Sequence, residues 1–288
     1  IPHAYAGYMA KKMLKEEGIL IPMITTLHGT DITLVGSHPF YRTAVTFSIN
    51  KSDRVTAVSQ SLRDTTYAMF DIKKEIEVIP NFIDIQRYIE KAKEPCDRTL
   101  MALQTEIIFT HVSNFRAVKR VEDVVEVFAR VNERQPSVLI MVGEGPERIK
   151  AERLAKQKGV YNKVKFLGNS VEIDKVLCMS DIFLLPSSEE SFGLAALEAM
   201  ANKTAVISSN AGGLPEVNIH GKTGYVCEVG DVEQMSAYAL NLAQDEELLR
   251  SMKANALESA KRFDLPEVVP IYERLYESAY ESRHRDQD

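Results

Sequence analysis

The chain has 288 residues, of which 45% are hydrophobic and 26% are charged, and its formal net charge is −6. This length predicts about two domains, and the composition is that of an ordinary globular protein rather than a disordered or fibrous one. The negative charge argues against nucleic acid as a partner. No apolar run approaches the ~20 residues of a membrane span, and no secretory signal pattern is present.

Cysteine usage also bears on the class of protein. Cys96, Cys178 and Cys227 are odd in number and widely spaced, and no Cys-x-x-Cys or Cys/His cluster accompanies them. This spacing predicts neither a zinc site nor a disulfide framework. The sequence is therefore typical of a protein of the reducing cytosol, and we expect a cytoplasmic location.

Residues 1–84 alternate between helix and strand patterns, which predicts a parallel sheet covered by helices. The predicted helices are residues 4–17, 40–51 and 61–70, and the predicted strands are residues 21–27, 54–58 and 76–79. The first strand leads into the polar turn at residues 28–31, at the edge of a parallel sheet where ligands bind. Because the sequence opens at Ile1 directly in a helix pattern, we expect it to begin partway through this first domain.

Residues 85–105 are charged and poor in large apolar side chains, and we interpret them as a linker. A second series of strands and helices then predicts a second domain over residues 106–265. Its predicted strands are residues 107–112, 137–142, 164–167, 181–186, 204–208 and 224–227, and its predicted helices are residues 121–133, 146–158, 171–180, 194–200, 231–244 and 246–261. Residues 266–288 predict a last helix that crosses back to the first domain and frays at its end.

The most informative stretch is residues 187–198, where a strand pattern leads through a polar turn into an Ala-rich helix pattern. A helix N-terminus that follows a strand directs backbone N–H groups at a ligand. Glu190 lies in the turn, and Glu198 lies about two helical turns further on, near the same helix face. Two carboxylates so placed suit either general acid/base work or the binding of hydroxyl groups.

Ordered motifs around this stretch resemble those of glycosyltransferase family 4, whose members are retaining enzymes with the GT-B architecture. The motifs of the first half are Leu27-His28-Gly29-Thr30-Asp31, Thr56-Ala57-Val58-Ser59 and Val78-Ile79-Pro80-Asn81. The motifs of the second half are Asn114-Phe115-Arg116 with Lys119, Gly143-Glu144-Gly145-Pro146, Phe166-Leu167-Gly168, the Glu-x7-Glu pair Glu190 and Glu198, and Ala211-Gly212-Gly213-Leu214-Pro215-Glu216. The resemblance implies an α/β fold with two Rossmann-like domains whose parallel sheets face a cleft. It also implies that the N-terminal, acceptor-side domain is incomplete in this chain.

The resemblance implies a role for each candidate residue. Arg116 and Lys119 would stabilise the charge that develops on a diphosphate leaving group. His28 and Glu190 would contact the donor sugar near its anomeric carbon, and these four are the predicted catalytic residues. Glu198 would accept hydrogen bonds from the ribose hydroxyl groups. The other predicted donor contacts are Ser191, Phe192, Gly193, Leu194, Gly143 and Gly168, and the predicted acceptor contacts are Thr26 and Tyr5.

A narrower resemblance lies in residues 1–9, 25–36 and 113–120. These segments look like the branch of the family that moves N-acetylglucosamine from UDP-N-acetylglucosamine (UDP-GlcNAc) to the hydroxyl group of L-malate in bacillithiol synthesis. The resemblance to the family as a whole implies front-face retention, in which the departing phosphate takes the proton of the acceptor. A family member with a different acceptor and a non-catalytic module that binds nucleotide sugars remain alternatives.

Other functions receive less support from the residues. Gly143-Glu144-Gly145 follows a strand pattern, but it lacks the third glycine and the later acidic residue of a dinucleotide fingerprint, so an NAD(P) oxidoreductase is disfavoured. No Asp-x-Asp ends a strand, and Asp31 alone is half of a metal motif, so we infer no essential metal. We expect a UDP-sugar co-substrate, no other cofactor and a small hydroxy-acid acceptor, and a homo-oligomer remains open.

Overall fold

The computed structural model describes residues 2–30, 32, 33, 36, 38–91, 96–169 and 172–285. The chain divides into two compact units, Ile1–Phe82 with Leu265–Asp288 and Ile83–Asp264. Parts of some predicted features lie outside the described residues: Asp31 of the first polar turn, residues 34 and 35 of the narrower resemblance, residues 92–95 of the predicted linker, residue 171 of a predicted helix and residues 286–288 of the tail.

The first unit is built on a three-stranded parallel sheet with strand order β1-β2-β3. Its elements are α1 (Pro2–Glu16), β1 (Ile24–Leu27), α2 (Pro39–Lys51), β2 (Arg54–Ala57), α3 (Gln60–Met69), β3 (Ile76–Val78) and α12 (Leu265–Arg285). Val268 and Leu275 of α12 are buried with Ile79, which follows β3. The last helix therefore completes the core of this unit.

The second unit is built on a six-stranded parallel sheet. Its strands are β4 (Ile107–Val112), β5 (Ser137–Val142), β6 (Val164–Gly168), β7 (Ile182–Leu185), β8 (Ala205–Ser209) and β9 (Gly224–Cys227). Its helices are α4 (Ile85–Lys91), α5 (Val121–Asn132), α6 (Arg148–Gln157), α7 (Ile173–Leu177), α8 (Leu194–Ala201), α9 (Leu214–Val217), α10 (Val232–Gln244) and α11 (Glu246–Ala260). The strand order is β6-β5-β4-β7-β8-β9, so successive strands are added to one side of β4 and then to the other, starting with β7. Such a switch point in a parallel sheet opens a crevice at the carboxyl ends of the strands.

Helices cover both faces of the second sheet, which explains its apolar strands. Every residue of β5 and of β7 is buried, as expected for parallel strands that are covered on both sides. One core contains Phe109 and Phe128 together with residues of α10. A smaller core on the other face contains Ile108 and Val176. The predicted α/β fold with parallel sheets is confirmed.

The predicted linker is wrong in part, because it contains regular structure. Helix α4 occupies its first residues, and a single 3₁₀ turn follows at Arg98–Leu100. Ile85 is buried and donates its backbone N–H to Asp264 over 2.9 Å. The segment is held by such contacts to distant residues, which its charged composition does not reveal.

Two further expectations are corrected by the fold. A disulfide joins Cys96 to Cys178 across 82 residues of sequence, whereas the sequence predicted no disulfide. Only the fold brings these two cysteines together, so no local spacing could indicate the bond. The predicted helix at 171–180 is confined to Ile173–Leu177 in the described residues, and the short helix α9, which was not predicted, contains part of the motif at residues 211–216. Among the described helices, none has the length and apolar character needed to cross a bilayer.

Candidate active site

Two loops border the crevice at the switch point of the second sheet. We call residues 113–120, which follow β4, the cation loop, and residues 186–193, which follow β7, the carboxylate loop. The backbone N–H of Ser188 donates to the carbonyl oxygen of Val118 over 2.8 Å. Nζ of Lys119 lies 2.6 Å from Oε2 of Glu190. The structure therefore brings together two of the predicted catalytic residues.

The Lys119–Glu190 pair is open to a ligand. The side chains keep 19% and 16% of their surface exposed, respectively. At this distance the contact is a charge-assisted hydrogen bond from the ammonium group to the carboxylate. A ligand with an anionic group and neighbouring hydroxyl groups can replace both halves of the pair, because Lys119 can donate to the anion and Glu190 can accept from the hydroxyl groups.

The other cations of the loop have different surroundings. Arg116 is exposed, and its guanidinium has no side-chain partner among the described residues. Arg120 has a left-handed backbone with φ of 49°, and its Nε donates to Asp123 over 2.6 Å. Arg116 can thus bind an anion without giving up a partner in the described chain, whereas Arg120 is already paired.

The N-terminus of α8 ends the carboxylate loop. Gly193, with φ of 99°, occupies the N-cap position, and as a glycine it has no side chain with which to cap the first turn. The ring of Phe192 is buried and packs edge-on against Phe263 at 5.4 Å, so only the backbone of this residue can serve a ligand. Ser191 precedes them and is partly exposed, and Leu194, which is exposed, begins the helix. Uncapped N–H groups and the helix dipole make this end suited to an anion.

A glycine turn supports Glu190 from behind. The backbone N–H of Gly213 donates to the carbonyl oxygen of Glu190 over 3.0 Å. Gly212 has φ of 53°, and a Cβ atom there would lie 1.8 Å from the same oxygen. The motif at residues 211–216 therefore fixes the backbone of the carboxylate loop, a role that only glycine allows at this distance.

Gly143 and Gly168 pack against backbone and side chains next to the cation loop. A Cβ atom on Gly143 would lie 1.8 Å from the carbonyl oxygen of Ser113, and one on Gly168 would lie 3.0 Å from Oε1 of Glu144. The N–H of Gly143 donates to the carbonyl oxygen of Gly168 over 2.8 Å. These contacts give both glycines a packing role, and their predicted contact with the donor stays a prediction.

Glu198 lies on α8 in partly buried surroundings. Burial raises the pKa of its carboxyl group, and the nearby carboxylate of Asp174 adds to the rise. Helix α4 packs against α8, and burial together with Glu198 raises the pKa of the Tyr88 phenol. Glu198 therefore faces a tyrosine from the segment that was predicted to be a linker.

Two polar residues near the candidate site escaped the sequence analysis. Tyr88 lies at helical spacing from Ile85 and Ile89, and this spacing was the feature of the sequence that could have predicted helix α4. His111 is fully buried at the end of β4 beside the cation loop. A histidine in a mostly apolar strand was visible in the sequence, but the residues that it contacts in the fold were not.

The remaining candidates belong to the first unit. His28 is exposed directly after β1, and no described residue bonds its ring. Thr26 accepts a hydrogen bond of 2.9 Å from the hydroxyl of Thr56. Burial raises the pKa of the nearby Tyr272 phenol, and the hydroxyl groups of both threonines oppose this rise. Tyr5 is half-exposed on α1, with its ring 6.2 Å from that of Phe47. Thr26 thus already has a partner inside its own unit.

No cluster of three or more His, Cys, Asp or Glu side chains suited to a metal ion is found among the described residues. The expectation that the reaction needs no metal ion stays a prediction.

Two protein-family models match the chain, one over most of each unit. A family model described as Glycosyl transferases group 1 matches residues 98–259, and one described as Glycosyltransferase Family 4 matches residues 2–87. The N-acetyl-alpha-D-glucosaminyl L-malate synthase of Bacillus anthracis is 43% identical over 277 residues. This alignment covers 96% of this chain and 72% of that protein.

Solved structures agree with the fold. The crystal structure of Anabaena HepE in complex with UDP and glucose has a TM-score of 0.80 at 22% identity, over 96% of this chain and 74% of that chain. Sucrose-phosphate synthase from Thermosynechococcus elongatus has a TM-score of 0.79 at 19% identity, over 97% and 72% of the respective chains. Together with the family matches, these findings establish that the chain belongs to glycosyltransferase family 4, the glycosyl transferases group 1, and is a glycosyltransferase of the hexosyltransferase class with the GT-B type of fold.

Proposed function

We propose that this glycosyltransferase moves N-acetylglucosamine from UDP-GlcNAc to the hydroxyl group of L-malate with retention at the anomeric carbon. The observation that carries the proposal is the 43% identity with the L-malate synthase of Bacillus anthracis over 96% of this chain. The open pair of Lys119 and Glu190 at the switch point supports it, because the pair offers a donor for phosphate and an acceptor for sugar hydroxyl groups.

The donor is held by the second unit. Glu198 accepts hydrogen bonds from the two ribose hydroxyl groups, since a carboxylate offers two acceptor oxygens. Arg116, Lys119 and the N–H groups at the start of α8 bind the diphosphate. Glu190 accepts hydrogen bonds from hydroxyl groups of the sugar. In this arrangement the two carboxylates position the donor and take no part in proton transfer.

The transfer proceeds on one face of the sugar. The acceptor hydroxyl oxygen forms a bond to the anomeric carbon while the bond from that carbon to the diphosphate oxygen breaks. The bonding electron pair leaves with the diphosphate, and the departing phosphate oxygen takes the hydroxyl proton. Arg116 and Lys119 stabilise the charge that develops on the leaving group, which is worth roughly 3 kcal/mol of barrier for each well-placed donor.

The first unit supplies contacts to the reacting sugar and to the acceptor. His28 donates to the sugar in the transition state, and Tyr5 and Thr26 contact the acceptor. Because the hydroxyl of Thr26 is bonded to Thr56, it contacts the acceptor by exchanging this bond. The proposal assigns no step to a metal ion.

The test is a transfer assay with the purified protein, UDP-GlcNAc and L-malate. We expect UDP release and a glycosylated malate of retained configuration, detected by mass spectrometry and NMR. Succinate is the matched control because it keeps both carboxylates and lacks the hydroxyl group. Glu190→Ala should abolish transfer and keep the circular dichroism spectrum of the wild type.

Three results would contradict the proposal in different ways. Near-normal turnover of Glu190→Ala would remove the role assigned to this carboxylate. Transfer to another hydroxy acid but not to malate would identify a family member with a different acceptor. UDP binding without turnover on any acceptor would indicate a module that binds nucleotide sugars.

A further inference from the structure

His111 lies near the carboxyl end of β4, one of the two strands that flank the switch point of the second sheet. Its side chain is fully buried at the end of β4. Nδ1 lies 2.8 Å from the carbonyl oxygen of Leu184, and Nε2 lies 2.7 Å from the hydroxyl oxygen of Ser113. The rings of Phe115 and Phe183 lie 6.0 Å and 6.5 Å from the imidazole. Both nitrogens are therefore bonded, and the ring is enclosed by aromatic groups.

These contacts determine where the imidazole proton lies. A carbonyl oxygen only accepts, so Nδ1 must carry a hydrogen and donate it to Leu184. Burial lowers the pKa of His111 to about 4, although the bond to Leu184 opposes this, so the ring is neutral near pH 7. A neutral imidazole has one N–H group, which leaves Nε2 as an acceptor. Ser113 must then donate its hydroxyl hydrogen to His111.

The position of the ring links the two loops. The paired residues of β4 and β7 end at Thr110 and Phe183. Beyond that pair, the side chain of His111 bonds to Leu184, so it continues the connection between the strands where the backbone pairing stops. Through Ser113, the same ring bonds to the first residue of the cation loop.

We propose that His111 is a positioning residue that holds the cation loop and the carboxylate loop at a fixed separation. It bonds to Ser113 at the start of one loop and to Leu184 shortly before the other. The separation of the two loops sets the distance from Glu190 to the cations that face the diphosphate. The inference rests on the proposed function in one respect, because that proposal assigns both loops to the donor.

A chemical consequence concerns Ser113. Its only hydroxyl hydrogen is committed to His111, so the oxygen retains only lone pairs for other partners. Ser113 therefore cannot donate a side-chain hydrogen bond to a phosphate oxygen. It acts as an acceptor and, through its bond to His111, anchors the loop.

The experiment compares His111→Phe with Thr110→Val. The phenyl ring keeps the size and the stacking of the imidazole and removes both hydrogen bonds. Thr110 is the matched control, because it is the preceding residue of β4 and points to the opposite face of the strand. Its buried hydroxyl bonds to Ser180 over 2.5 Å, away from both loops. Each variant thus removes buried hydrogen bonds from the same strand.

We expect His111→Phe to weaken UDP binding and to lower the rate of UDP-GlcNAc turnover by about 10- to 100-fold, the range expected when reacting groups move by a fraction of an ångström to 1 Å. Thr110→Val should leave the dissociation constant of UDP and the turnover rate within about twofold of the wild-type values, which would indicate an unchanged site. His111→Asn, whose amide can still donate to Leu184, should recover part of the loss. Melting temperatures show whether the strand is equally perturbed in the variants.

A readout that does not depend on activity tests the geometry directly. The ¹⁵N resonances of the His111 ring should identify Nδ1 as the protonated nitrogen, and Ser113→Ala should shift the Nε2 resonance. The inference is overturned if Nε2 carries the hydrogen, or if His111→Phe and Thr110→Val bind UDP equally well. Failure of the proposed function is seen separately, as absence of transfer to malate by the wild type.

Discussion

The two units of the chain differ in how they hold their candidate residues. In the second unit, Glu190 is bonded to Lys119 through its side chain and to Gly213 through its backbone. In the first unit, His28 is exposed after a half-buried strand and has no bonding partner among the described residues. Glu190 is thus preorganised by the fold, whereas His28 lacks such support within its own unit, unlike Thr26, which is bonded to Thr56.

Under the proposed function, this difference between Glu190 and His28 corresponds to two different tasks. The leaving group carries the largest charge, and preorganised donors stabilise charge best when they need no rearrangement. Under the proposed function, the second unit performs this task with its fixed loops. The first unit contributes a contact to the reacting sugar, which a single well-placed side chain can make.

The largest effect is expected from the cation loop. Lys119→Met keeps the aliphatic part of the side chain and removes the charge, so the rate of transfer should fall about 10²- to 10³-fold. Lys175→Met is the control, because Lys175 is an exposed partner of Glu172 in the same unit. Steady-state kinetics measures both variants. Equal kcat/KM values for the two would remove the cation loop from charge stabilisation.

Loss of the first-unit contact should have a smaller effect. His28→Ala should lower kcat by roughly 10- to 100-fold, as expected for one lost hydrogen bond to a charged group. The dissociation constant of UDP should not change, because the second unit holds the nucleotide. His38→Ala in the same unit removes an exposed histidine that caps α2 and should leave kcat unchanged. Weaker UDP binding by His28→Ala would contradict the proposal that the second unit alone binds the nucleotide.

The glycine turn behind Glu190 offers a test within the second unit. Gly212→Ala and Gly221→Ala both place a side chain at positive φ, which costs about 1–2 kcal/mol of unfolding free energy. Only the first introduces a clash, 1.8 Å from the carbonyl oxygen of Glu190, since nothing lies within 4 Å of a Cβ atom on Gly221. Gly212→Ala should therefore lose more stability in urea and also lose activity. Equal losses would show that the turn does not position Glu190.

The smallest effect concerns the pH dependence of stability. Burial raises the pKa of Glu198 above 4.5 in the folded protein, so the folded state binds more protons than the unfolded state between the two pKa values. Stability therefore falls as the pH rises through this window, and it stays lower above it. Glu198→Gln should have a higher melting temperature than the wild type at pH 7, and the gain should disappear below about pH 4.

The control for this measurement is Glu258→Gln, which changes an exposed carboxylate paired with Lys261. It should show no gain at pH 7. A gain of the same size in both variants would mean that burial of Glu198 is not the cause. Weaker UDP binding by Glu198→Gln, measured by calorimetry, would separately support the contact of Glu198 with ribose.

The sequence predicted elements whose pattern is local. Strands β4 and β5 were predicted with the bounds that the structure has, because their apolar runs end in clear turn residues. The Cys96–Cys178 disulfide was missed because it joins residues that are 82 apart in the sequence. Helix α4 was missed because its apolar repeat spans a single turn within a charged segment, and its contact with Asp264 depends on the fold. Patterns along the chain cannot report partners that only the fold brings near.

The candidate site shows the same limit at the level of single residues. The spacing of Glu190 and Glu198 was visible, whereas the ion pair that Glu190 makes with Lys119 spans 71 residues. His111 was a polar residue in an apolar strand, and only the structure identifies its partners. The residue types could be predicted, but the hydrogen bonds that orient them could not.

The bond between Lys119 and Glu190 also affects how the protein chooses its ligand. Under the proposed function, a free diphosphate nucleotide can take Lys119 but leaves Glu190 without a partner, and an unpaired, partly buried carboxylate is unfavourable. A neutral sugar can satisfy Glu190 but leaves the cation unpaired. Only a molecule that carries both a diphosphate and a sugar provides new partners for Lys119 and for Glu190. The ion pair therefore competes with partial ligands and favours the intact nucleotide sugar over its separate halves.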